Sequence, residues 1–167
     1  MTAKPSNLQI DSGRLWGAIH ETAKFGATAK GGVRRLTLGA EDKQVRDWFR
    51  KACEDAGLDV SVDALGSMFG LRKGRDMSKP PLGLGSHLDT QPTGGKYDGI
   101  LGTLAALEVV RTLNDAGIET ETPLCIINWT NEEGSRFAPA MMASATYAGE
   151  FTTEDIWNRK DASGISV

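Results

Sequence analysis

Five side chains in this sequence have the types and spacing that metal-assisted hydrolysis uses: His87, Asp89, Asp98, Glu132 and Glu133. They fall in two short segments, Ser86 to Gly99 and Asn131 to Phe137. In His87-Leu88-Asp89 the polar residues stand two apart, and in extended chain such residues point to one side. Asp89 can then receive the Nδ1–H of His87, fix the tautomer and leave Nε2 for a metal. The alternative is a local Asx turn at Asp89, with His87 a satisfied strand-end residue. Asp98, just before Gly99, can bridge two metal ions, or it can cap a following helix by accepting backbone N–H groups. Glu132 and Glu133 are adjacent and diverge, so one can ligate a metal while the other faces a water; the plain alternative is an exposed acidic loop. Side by side the two charges repel, and a site that holds both needs cations. Taken singly each residue has its bland reading. Together they favour a two-metal hydrolytic site, with ions about 3.5–4 Å apart.

Such a site needs a scaffold that brings the two segments together. Leu82 to Ser86 reads as a short strand, Gly99 to Asp115 as a mostly apolar helix ended by Gly117, and Leu124 to Trp129 as a continuous apolar strand covered on both faces. Strand, crossover helix and strand form a βαβ unit with parallel strands. The carboxyl ends of such strands share the crevice where open α/β sheets bind ligands. Upstream, residues 11–26 form a helix that Asp11 or Ser12 can cap, and Ala40 to Ala56 forms a second one stopped by Gly57. Leu58 to Asp63 alternates apolar with polar and pairs as a hairpin with Ser67 to Lys73. Between the helices, Gly31-Gly32 with Arg34 and Arg35 reads as a surface turn rather than an anion-binding loop. Thr152 to Trp157 is a short capped helix. The fold class is α/β, and about four strands leave the sheet incomplete with a bare edge.

Composition narrows the partners. The chain's 167 residues suffice for one domain with a hydrophobic core, and 40% apolar with 25% charged residues is ordinary globular usage. Nineteen Lys and Arg against 22 Asp and Glu give a net charge of −3, which argues against a nucleic-acid or anionic-membrane surface. The densest basic stretch, Arg72 to Arg75, reads as a solvated loop. The opening MTAKPSNLQI has no apolar leader segment, and the longest apolar stretch, Ile100 to Val110, is too short to span a bilayer. Cys53 and Cys125 read as two separate buried thiols, which places the expected compartment in the cytoplasm. His20 lies within a helical period and reads as structural. Ser135 lacks the Gly-x-Ser-x-Gly of an elbow nucleophile, and Gly83-Leu84-Gly85 lacks the third glycine of a dinucleotide loop.

The run GSHLDTQPTGGKYDGILGTLAALEVVRTLND, followed by INWTNEEGSRFAPAM, resembles the hydantoinase/carbamoylase branch of the M20-type metallohydrolases. That branch comprises N-carbamoyl-L-amino acid hydrolases, β-ureidopropionases and allantoate amidohydrolases. The likeness extends upstream through RLWGAIHETAKFGAT, GGVRRLTLG, VRDWF and VDALGSMFG, which is nearly the whole chain. It implies a zinc-peptidase-like, doubly wound catalytic domain of which residues 1–167 are an N-terminal portion, without the lid and dimerisation domain. It also implies two divalent metal ions, zinc first, with manganese, nickel or cobalt as alternatives. By resemblance His87 ligates one metal, Asp98 bridges both, Glu133 ligates the second, Glu132 is the general base and Asp89 braces His87. Gln91 is a candidate substrate contact. The implied reaction is hydrolysis of a linear ureido C–N bond, releasing the free amino acid, ammonia and carbon dioxide. Two further histidine ligands, one per metal, are implied outside this sequence, so the chain alone is expected to be inactive. Full-length relatives are expected to be homodimers with small carbamoyl or ureido substrates. Two alternatives stay open: a non-catalytic module that pairs with a full-length homologue, and an aminoacylase or peptidase of the same superfamily.

Overall fold

The computed structural model describes residues 7–167; most of the opening stretch, read above as lacking an apolar leader, lies outside them. Helix α1 spans Ser12–Thr22 and helix α2 Ala40–Asp55. The hairpin strands are β1 (Asp59–Val62) and β2 (Met68–Arg72). They are followed by β3 (Leu82–His87), α3 (Ile100–Asp115) and β4 (Leu124–Trp129). Two short helices, α4 (Met142–Tyr147) and α5 (Thr153–Trp157), close the described chain. Asp11 caps α1 by accepting the Arg14 N–H at 2.9 Å, as its position before the apolar period predicts. Thr152 and Asp155 form a reciprocal capping box on α5. The long helices and all four strands fall within a residue or two of where periodicity puts them, except that α1 stops at Thr22, short of Gly26. Helix α4 has no counterpart in the sequence reading.

The four strands form one mixed sheet in the order β1-β2-β4-β3. β3 and β4 are parallel, as the βαβ unit requires, in a register that sets His87 beside Trp129. β4 also pairs antiparallel with β2, so it sits between the hairpin and β3, and β3 is an edge strand. Met68, Leu84, Leu124 and Ile126 share one face by this register, and there they meet Ala18 and Ile19 of α1, Val45 and Phe49 of α2, and Leu104 and Leu107 of α3 in one core. The apolar run of β4 predicts cover on both faces; α1 to α3 supply it on one. On the other, Ile127 and Trp129 are half-buried, with Phe69 and Tyr147 packed on the Trp129 ring at centroid distances of 5.9 and 5.3 Å. An ion pair on a buried carboxylate locks the helical layer: half-buried Arg14 of α1 grips Glu108 of α3 with Nε and Nη2 at 2.9 and 2.8 Å, and the Asp11 N–H adds a third bond. This two-pronged geometry is the kind that compensates a buried carboxylate. No helix among the described residues is long and apolar enough to cross a membrane.

Candidate metal centre

Because β3 and β4 run parallel and end level, the residues that follow them face each other across a narrow gap. The chain leaving β3 turns inward, with Leu88, Asp89 and Thr90 all nearly inaccessible to solvent. The chain leaving β4 does likewise at Thr130 and Asn131 before Glu132 and Glu133 emerge half-buried at the rim. Asn131 is the pivot. Its backbone is left-handed at φ 55°, and its side-chain amide donates to the carbonyls of Phe137 at 2.7 Å and Pro139 at 3.1 Å. Asparagine is one of the few side chains that tolerates this conformation, and its short amide bonds locally. Gly134, also at positive φ, continues the turn where a Cβ would strike the Ala140 backbone nitrogen at 2.5 Å. The carbonyls of Thr130, Asn131 and Glu132 then accept N–H groups at the start of α4, so the helix missing from the sequence reading is what anchors the glutamate loop.

His87 is 5% exposed. Its Nδ1 lies 2.9 Å from the main-chain carbonyl of Asp89, which can only accept, so Nδ1 carries a proton and, in the neutral ring, the lone pair is on Nε2. The expected brace is therefore made by the backbone of Asp89; its carboxylate stands 3.7 Å from Nδ1. That carboxylate serves another purpose. Oδ1 accepts the Glu132 N–H and Oδ2 the Glu133 N–H, each at 3.3 Å, so Asp89 clamps the β4 loop to the end of β3. The local Asx turn is not what forms. Burial pushes the Asp89 carboxyl up to about 6; His87 when protonated and the two backbone N–H groups pull it down, and Asp42 adds to the rise.

Glu132 projects to the other ring nitrogen, with Oε2 at 3.4 Å from Nε2. Glu133 Oε2 accepts the side-chain N–H of Gln91 at 3.1 Å. Asp98 is exposed, and the cap position of α3 is Gly99, with no side-chain cap bond, so the capping alternative for Asp98 is not realised. Gly99 lies against the His87 imidazole: a Cβ there would stand 2.3–2.5 Å from three ring atoms. The structure thus brings His87, Asp89 and Glu132 together, with Glu133 tied in through its backbone and Gln91, and sets Asp98 one residue from the ring's neighbour. Among the described residues, no three His, Cys, Asp or Glu side chains converge on one point that would hold a cation. The donor chemistry nonetheless fits one. The Nε2 atom stands 3.4 Å from a carboxylate oxygen, and imidazole with carboxylates is a donor set that a divalent cation accepts.

Two residues that position the site escape the sequence reading. Arg35, expected on a surface turn, is 1% exposed and bonded to the Leu88 carbonyl at 3.0 Å. Thr90 pairs with the Arg35 backbone in both directions, each at 2.8 Å. His20 stays outside the site, exposed on α1 with its ring edge on Trp16 at 4.5 Å. Cys53 and Cys125 are the expected separate, buried thiols.

The profile of Peptidase family M20/M25/M40 matches residues 83–162, the segment from β3 through the candidate site. N-carbamoyl-L-amino-acid amidohydrolase of Rhizobium meliloti is 51% identical over 166 residues, which is 99% of this chain and 40% of that protein. N-carbamoyl-L-amino acid amidohydrolase of Geobacillus stearothermophilus is 39% identical over 158 residues, 95% of this chain and 38% of its own. Among solved structures, a hydantoinase/carbamoylase family amidase from Burkholderia ambifaria superposes with a TM-score of 0.95 at 55% identity, covering 96% of this chain and 40% of that one. The chain spans about two fifths of the length of these relatives.

Proposed function

From a chain that resembles the hydantoinase/carbamoylase branch of the M20-type metallohydrolases over nearly its whole length, we propose part of the catalytic domain of a metal-dependent hydrolase acting on a non-peptide C–N bond. Its substrate class is N-carbamoyl amino acids, including N-carbamoyl-β-alanine, in a cytoplasmic homodimer. The observation that carries the reading is the Nε2 atom of His87 set 3.4 Å from the Glu132 carboxylate, with Asp89 clamping the two segments. His87, Asp98 and Glu133 would hold two divalent ions, zinc first, with manganese, nickel or cobalt as alternatives. When bound, the ions polarise the ureido carbonyl and lower the pKa of water.

Each residue of the chain has its own task. Glu132, about one third exposed, reaches solvent with its carboxylate and takes a proton from water attacking the ureido carbon. It then returns that proton to the departing nitrogen, so one water is consumed and amino acid, ammonia and carbon dioxide leave. The Asp89 backbone carbonyl holds the imidazole in the tautomer a ligand requires. The Asp89 carboxylate fixes where the Glu132 backbone sits, and thereby the reach of the base.

Zinc competition against a chromogenic chelator tests the ligand set. The expected result is weak binding that His87→Ala abolishes and no turnover of N-carbamoyl-β-alanine, because each metal lacks one histidine ligand. Zinc held equally well by His87→Ala overturns the set. Joined to the remaining length of the Rhizobium meliloti relative, the chain should hydrolyse N-carbamoyl amino acids and lose turnover in Glu132→Gln. Preference for N-acyl substrates would overturn the substrate class.

A further inference from the structure

Arg35 is the costliest side chain outside the candidate site to have buried. Its guanidinium is 1% exposed, and among the described residues no carboxylate lies within ion-pair distance of it. Its side-chain bonds go to main-chain carbonyls: Nε to Leu88 at 3.0 Å, and Nη1 to Thr22 at 3.1 Å and Phe25 at 3.2 Å. Burial pulls its pKa down to about 10, against the more distant fields of Asp42 and Asp89. A buried guanidinium is tolerated only where hydrogen bonds offset its desolvation, and these three carbonyls do so. What it does hold is specific. Leu88 is the residue between His87 and Asp89, and its carbonyl is tied by Arg35 to the end of α1. One step further, the Arg35 N–H and C=O pair with Thr90, whose hydroxyl also donates to the Gln91 carbonyl. The corner from His87 to Gln91 is therefore held from behind by one residue of another segment.

We propose that Arg35 is a positioning residue for the candidate site: by fixing the Leu88 carbonyl and the Thr90 backbone, it aims the Asp89 carbonyl at Nδ1 of His87 and so sets the imidazole tautomer. The inference rests on the reading of His87 as a ligand, but its test needs neither metal nor turnover. Only two histidines are present, and exposed His20 serves as an internal reference. Long-range nitrogen–proton correlation on the metal-free chain, at fixed alkaline pH, reports which ring nitrogen carries the proton. His87 should show a single Nδ1–H form. Arg35→Met should admit the Nε2–H form that free imidazole prefers, with Arg35→Lys restoring part of the original signal and His20 unmoved. Val45→Ala, a core truncation on α2, supplies the structural control: it should lower the melting temperature and leave His87 in its single form. An unchanged His87 signal in a folded Arg35→Met protein overturns the proposal. Where that variant does not fold, Thr90→Val, which removes the acceptor of the Arg35 N–H, should shift His87 in the same direction, and no shift there overturns it equally. Failure of the protein joined to the remaining length of the Rhizobium meliloti relative to hydrolyse N-carbamoyl amino acids, with the Arg35 result intact, would refute the hydrolase reading alone.

Discussion

The contact between Gly99 and His87 gives the sharpest test of how the candidate site is built. Gly99 has φ 68° and ψ −59°, a backbone region closed to L side chains, and an added Cβ would fall 2.3 Å from Cε1 and 2.5 Å from both ring nitrogens. The ring cannot step aside cheaply, because it is buried and its Nδ1 is engaged by the Asp89 carbonyl. Gly99→Ala therefore combines backbone strain of about 1–3 kcal/mol with overpacking of about 1–3 kcal/mol. Gly117, at the other end of α3, separates the two contributions. Its φ is 62° and nothing lies within 4 Å of an added methyl, so Gly117→Ala carries strain alone. Urea unfolding of both variants, at unchanged m-value, should show Gly99→Ala less stable than Gly117→Ala by roughly 1–3 kcal/mol. Zinc affinity should fall in the first and hold in the second. Equal destabilisation would refute the claim that the imidazole is held rigidly against α3, and with it the account of how the ring is aimed.

Asp89 sets a pH dependence. Its folded-state pKa of about 6 lies above the unfolded value, so the folded protein holds this proton more tightly. The group's contribution to stability is full below about pH 4 and is lost as pH rises through about 6, a change on the order of 3 kcal/mol. In metal-free protein, Asp89→Asn should remove that decline, and chemical unfolding at stepped pH from about 4 to 7 measures it. A parallel pair of curves would contradict the buried-carboxylate picture. Asn131→Ala should destabilise the fold by roughly 2–4 kcal/mol, since it leaves one buried and one half-buried carbonyl unpaired and puts alanine at positive φ. Asn131→Gly, which relieves only the strain, should recover about 1 kcal/mol of that loss in the same urea titration.

What could be read from sequence follows from how local each signal is. The parallel β3-α3-β4 unit was legible because each element carries its own period and the βαβ rule fixes their relation. That alone brings His87, Asp89 and Glu132 to one crevice. The insertion of β4 between β2 and β3 was not legible, because antiparallel pairing between distant segments leaves no mark on either strand. Helix α4 escaped because six residues behind a left-handed Met141 hold no full amphipathic period. Arg35 was misplaced because arginine is mostly exposed, and only its buried carbonyl partners reverse that expectation. The Asp89 clamp was hidden for a related reason: its acceptors meet N–H groups more than forty positions away, beyond any spacing rule.

The strand order also dictates when these four strands can join. β4 comes last in sequence among the described strands and yet lies between β2 and β3. A nascent chain halted before Leu124 carries a free hairpin and a lone strand that have no edge in common, and isolated hairpins are marginal in water. Nucleation must therefore wait for β4, which closes two ladders at once, and such non-local closure slows folding. The residues that bear the proposed chemistry follow β4 directly. Their alignment with His87 is in this way tied to the same event that joins the four described strands, and a ribosome-bound intermediate halted before it would have neither.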